Sequence, residues 1–124
     1  MPDLSSLTFA ARETVWSTTI ASYLPESACE VRTAYGARCD IVTSLYAIEV
    51  ERASKWAESI GQSLFYAAAL GREPAVILLV ADMKRDQIAV GRCAVACAAA
   101  GITFTWMDCQ KPEECIEHLI NVFE

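Results

Sequence analysis

The chain has 124 residues, 54% of them apolar and 21% charged, with a formal net charge of −6. That length supports one domain with one buried core, and the acidic balance has the wrong sign for a protein coated in basic residues for generic nucleic-acid binding. No apolar run reaches the roughly eighteen residues that a membrane-spanning helix needs.

The segment "MPDLSSLTFAARETVW" has no basic stretch leading into an apolar run, so it does not read as a secretory signal. The six cysteines (Cys29, Cys39, Cys93, Cys97, Cys109 and Cys115) therefore read as reduced thiols of a cytoplasmic protein. Most stand in apolar or helical surroundings, where cysteine serves as a small core residue.

The pattern from Leu7 to Leu24 predicts a helix, ended by Pro25. "CEVRTA" and "RCDIVT" predict strands, joined by a turn at Tyr35-Gly36, where glycine can take a positive φ. "YAIEVE" predicts a third strand. Ser54 is placed to cap a helix running through "KWAESIGQSLFYAAALG" to Gly71. "AVILLVA" is a continuous apolar run, as in a parallel strand buried on both faces. A helix from about Asp86 to Ala100 stops at Gly101, "ITFTWM" predicts a last strand, and Pro112 opens a last helix.

The order is αβββαβαβα. It predicts an α/β fold: a mixed central sheet of about five strands, first an antiparallel meander and then parallel strands, flanked by helices on both faces. No linker or repeat interrupts residues 1–124, which read as a single domain. The alanine-rich, apolar composition of so short a chain points to a two-fold homodimer.

"AIEVERASKW" sets Glu49 and Glu51 two apart on one face of a strand. With a two-residue turn at Ser44-Leu45, Thr43 pairs with Tyr46, Asp40 lies opposite Glu49, and Arg38 lies opposite Glu51. Opposed side chains are about 5 Å apart at Cβ. Adjacent carboxylates repel unless a proton or a cation sits between them. A hard divalent ion, Mg²⁺ or Mn²⁺, suits such oxygen ligands, with water and substrate phosphate completing its shell. The plainer alternative is a solvated face with Arg38 and Arg52 as counter-ions. On the next helix Lys55, Gln62 and Tyr66 are spaced by seven and four residues, which puts them within about 40° of one another.

"RCDIVTSLYAIEVERASKWAESIGQSLFYA" resembles the core of the PD-(D/E)XK nuclease superfamily, the restriction-endonuclease-like fold, and in particular its small phage and bacterial members with a RecB-like "GQ…Y" helix. Asp40 matches the aspartate of the motif, Glu49 the acid of its E-x-K element, and Gln62 and Tyr66 its Q-x-x-x-Y element. Glu13 stands where Holliday-junction resolvases of this kind keep a further acid. The specific likeness covers Arg38 to Tyr66. The resemblance implies metal-dependent hydrolysis of DNA phosphodiesters in repair, recombination or phage DNA processing. Asp40, Glu49, the carbonyl of Val50 and Glu13 would hold the metal, Lys55 would offset charge on the phosphate, and Gln62, Tyr66, Arg38 and Arg52 would position the substrate. One departure matters: the family's lysine position is Glu51 here. Either Lys55 replaces that lysine, with Glu51 an additional ligand, or the chain is an inactive nuclease-like subunit that binds DNA or protein.

Other groupings are weaker. Cys93 with Cys97, and Cys115 with His118, have helical spacings that can bind zinc but lack a C-x-x-C knuckle. Lys84-Arg85 reads as a DNA-backbone contact or a solvated turn. Trp16, Trp56 and Trp106 read as core.

Overall fold

The computed structural model describes residues 3–124. It is an α/β fold with a five-stranded mixed sheet and four α-helices. In chain order these are α1 (Glu13–Ala21), β1 (Ala28–Arg32), β2 (Arg38–Val42), β3 (Tyr46–Arg52), α2 (Trp56–Leu70), β4 (Glu73–Val80), α3 (Met83–Ala100), β5 (Thr103–Asp108) and α4 (Pro112–Phe123). The sheet order is β1-β2-β3-β4-β5. The first three strands pair antiparallel, and β3–β4 and β4–β5 pair parallel.

The two parallel crossovers, through α2 and α3, step across the sheet in the same direction. Crossovers share one hand, so both helices pack on the same face. Val76, Leu78 and Val80 meet Trp56, Ile60, Cys93 and Cys97 there. On the other face Ala75, Ile77 and Leu79 pack with Trp16 and Ile20 of α1 and Leu119 and Phe123 of α4. Residues Ala75 to Val80 are all fully buried, which is why β4 reads as an unbroken apolar run.

Four helix boundaries differ from expectation. The first helix begins only at Glu13, after a 3-10 turn at Leu4–Ser6, and ends at Ala21 rather than Leu24. Residues 7–12 stay non-helical because their polar backbone is claimed from afar: Trp16 Nε1 donates to the Thr8 carbonyl at 3.0 Å, and the Arg52 guanidinium donates to the carbonyls of Phe9 and Ala11. Ser54 does not cap α2; it lies inside a 3-10 turn, Ala53–Lys55, and α2 has no side-chain cap. The third helix starts at Met83, with Asp82 as cap accepting from the Lys84 amide, rather than near Asp86. Trp16 is fully buried, whereas Trp56 and Trp106 are half-buried.

Candidate functional site

The turn between β2 and β3 spans Ser44-Leu45, and the Thr43 amide donates to the Tyr46 carbonyl at 2.9 Å. Ile41 pairs with Ile48 and Val42 with Ala47. This register sets Asp40 against Glu49 on the face that carries α2. The ladder then opens. In a continued ladder the Val50 amide would meet the Cys39 carbonyl; instead it donates to Asp40 Oδ2 at 2.9 Å. Arg38 does not reach Glu51. It pairs across β1–β2 with Arg32, is exposed, and forms no ion pair among the described residues.

The solvated-face alternative is excluded by burial, since Glu49 and Glu51 are each only 6% exposed. The carboxyls of Asp40 and Glu49 lie within reach of a shared proton, and so do those of Glu13 and Glu51. Two carboxylates that close cannot both ionise. Burial, then the Asp40 charge, pushes Glu49 up to about 10. Burial and the Glu13 hydrogen bond push Glu51 up to about 8. Asp40 is also raised by burial, although its bonds to Glu49 and the Val50 amide favour its charged form. Glu49 Oε2 is buried without a hydrogen-bond partner.

A further acid joins this group that the sequence reading passed over. β1–β2 pairs Cys29 with Ile41 and Val31 with Cys39, which sets Glu30 beside Asp40. The charge on Glu30 helps raise Asp40, Glu30 Oε1 is buried and unpartnered, and its φ is 52°. That left-handed conformation is uncommon for a non-glycine residue. The signal was loop length. A two-residue turn at Tyr35-Gly36 pairs Glu30 with Ile41, whereas the three-residue loop actually formed, residues 34–36, pairs it with Asp40.

Around this row the expected partners divide. Tyr66 packs with Cys39, Ala47 and Ala67. Its hydroxyl is pushed up to about 12, first by burial and then by the charges of Glu49 and Asp40. Gln62 is exposed and hydrogen-bonds to none of the acids among the described residues. Lys55 is exposed at the start of α2, close enough for its charge to favour ionised Glu51. Glu13 sits on Glu51 and the Arg52 amide, the latter at 3.2 Å, rather than on the Asp40–Glu49 pair. Arg52 faces inward to the N-terminal segment: besides its two carbonyl contacts it lies 5.0 Å from the Phe9 ring centroid and 3.8 Å from Glu13. It is a structural clamp instead of an outward substrate contact.

The acids therefore stand as two close carboxyl pairs with Glu30 at one end. Among the described residues no three His, Cys, Asp or Glu side chains are grouped to hold a metal by themselves. That holds equally for the cysteines. Cys93 and Cys97 are buried with sulfurs 3.8 Å apart, the Cys115 sulfur accepts from the Asp108 amide at 3.4 Å, and His118 is exposed. Arg85 is tied to Asp86 at 3.1 Å. A groove of about 350 Å³ between the N-terminal segment and α1, lined by Asp3, Leu7, Thr14, Val15 and Thr18, includes none of the five acids of this row.

Comparison with protein-family models, with curated proteins and with solved structures finds no match to this chain.

Proposed function

We propose that this chain is a metal-dependent nuclease that hydrolyses DNA phosphodiester bonds, with Asp40 and Glu49 at its centre. One observation carries the reading: a half-buried carboxylate, Asp40, and a buried one, Glu49, opposed across an opening strand pair, the latter with an oxygen that no protein donor satisfies. Burying carboxylates without a cationic partner costs free energy, and neither Arg38 nor Arg52 supplies that partner. The restriction-endonuclease-like arrangement fits the same facts, since the strand order and the Asp40–Glu49 pairing are those that the sequence resemblance implies.

The donor set fits Mg²⁺ or Mn²⁺. The ligands are all oxygen, and two protein carboxylates suffice for an ion that keeps several waters and takes substrate phosphate. Asp40 and Glu49 would hold it, with the Val50 carbonyl beside them. When bound, such an ion makes water a nucleophile at neutral pH and draws charge from the phosphoryl oxygens.

The chain's own residues do the rest. The Val50 amide fixes the Asp40 carboxylate. Glu49, in its ionised form, would hold the ion. Lys55, exposed and near Glu51, brings the cation that offsets charge developing on the phosphate. Tyr66 walls the buried side of the acid row, and Gln62, one turn before it, faces the approaching strand. A two-fold homodimer is supported by the apolar composition and by Ile88 and Val95, which are 64% and 73% exposed on α3.

Glu51 favours a second reading. An acid in the lysine position, beside the Glu13 carboxyl, suits a nuclease-like subunit that binds DNA or protein and no longer cuts. The test is incubation with single-stranded, duplex and branched DNA in Mg²⁺ or Mn²⁺, beside Asp40→Asn. Products that require both metal and Asp40 support hydrolysis. Intact DNA in every tube rejects it.

A further inference from the structure

The β1–β2 hairpin, whose second strand bears Asp40, carries a second set of features. Its tip is a tight three-residue loop: the Gly36 amide donates to the Thr33 carbonyl at 3.2 Å, the Thr33 amide donates to the Ala37 carbonyl at 2.8 Å, and Gly36 has φ 82°. This is a type I turn followed by a left-handed residue, so the tip is held by its own backbone. At that tip Tyr35 is 84% exposed, far more than burial requires of a tyrosine.

The Tyr35 ring lies 6.0 Å from Phe65 of α2, and Phe65 lies 5.5 Å from Tyr66. Three rings thus run from the exposed tip to the residue beside Glu49 and Asp40. Below the tip Arg32 and Arg38 are directly opposed across the ladder. Both are exposed, and neither makes an ion pair or hydrogen bond among the described residues. Like charges directly opposite destabilise a strand pair, so a hairpin built only for stability has no use for them. Arg38 lies between Ala37 and Cys39, which pack on the Tyr66 side, so the arginine pair projects from the opposite face of the hairpin.

We infer that this hairpin, together with Phe65, is a grip for an unpaired DNA strand. A phosphate sits between Arg32 and Arg38, and a base stacks on Tyr35. Charge complementarity selects the phosphate, and the open aromatic face selects an unpaired base, because bases within a duplex already cover one another's faces. The strand then passes over the hairpin tip and follows the ring series towards Asp40 and Glu49. This assignment rests on the proposed nuclease reading for what the grip serves, and on the hairpin alone for what it binds.

The experiment is fluorescence anisotropy of a labelled fifteen-nucleotide dT strand, and of a duplex of equal length, with the full chain in EDTA at low salt. Wild type should bind the single strand at least about tenfold more tightly than the duplex. Tyr35→Ala, at an exposed position that leaves folding intact, should weaken that binding about tenfold, in the range for one lost base–aromatic stack. Arg32→Gln with Arg38→Gln should lower the slope of log affinity against log salt by about 1.4, two phosphate contacts at about 0.7 each. Equal affinity for both DNAs, or unchanged binding and salt slope in these variants, overturns the grip. Cleavage in Mn²⁺ that all three substitutions leave untouched removes the grip and keeps the nuclease. Single-strand binding that depends on Tyr35, without cleavage in any metal, removes the nuclease and keeps the grip.

Discussion

Replacing Glu49 by glutamine should make the metal-free protein more stable, contrary to the usual effect of altering a buried polar residue. The folded carboxyl titrates at about 10 against an ordinary 4.5, chiefly through burial and then through Asp40. Between those values the folded chain holds a proton that the unfolded chain releases. Stability from this group is therefore complete below about pH 4.5 and is lost as pH rises, by about 1.4 kcal/mol per unit. At pH 7 the loss is about 3 kcal/mol. Glutamine is neutral in both states and escapes it, while its amide can still donate to Asp40. Glu49→Gln should thus gain about 3 kcal/mol at pH 7, about 10 °C in Tm for a chain of this size, and almost nothing at pH 4. Thermal unfolding in EDTA from pH 4 to 9 measures the difference. Mn²⁺ should then raise the Tm of wild type and leave the variant unmoved. A variant no more stable than wild type at pH 7, or a gap that does not widen between pH 4.5 and 7, refutes the reasoning.

Arg52→Ala removes two hydrogen bonds to the carbonyls of Phe9 and Ala11 and the contact with the Phe9 ring, and should cost about 3 kcal/mol in urea unfolding; unchanged stability with weakened DNA binding would return Arg52 to the substrate. Lys55→Ala should slow cleavage about a hundredfold, roughly 3 kcal/mol of barrier, and Lys55→Arg should restore part of it, while an exposed lysine changes stability by less than about 1 kcal/mol; equal rates for wild type and alanine would discard Lys55. Light scattering at tens of micromolar should give twice the 13.6 kDa chain mass; a monomer mass ends the homodimer proposal.

The sheet was legible because its signals are local. Two-residue alternation in β3 and the short turn at Ser44-Leu45 set the register that brings Asp40 to Glu49, and the apolar run of β4 announced a strand covered on both sides. What could not be read depends on distant partners. Residues 7–12 have a helix-compatible pattern, but Arg52, more than forty residues on in the case of Phe9 and Ala11, takes their carbonyls. The same bonds turn Arg52 from an expected substrate contact into a clamp. Ser54 has the right chemistry for a cap, but the chain enters α2 through a 3-10 turn. Glu30 was hidden by one residue of loop length, which decides the face of every side chain in the strand.

The most direct test of the central claim is the single-turnover rate at which labelled single-stranded, duplex and branched DNAs are cut in saturating Mn²⁺, measured for wild type and Glu49→Gln prepared side by side. The account predicts cutting by wild type and at least about a hundredfold less by the variant, whose fold is retained and whose metal-free stability is raised. Equal rates for the two proteins, or no cutting of any of the three DNAs by wild type, would contradict it.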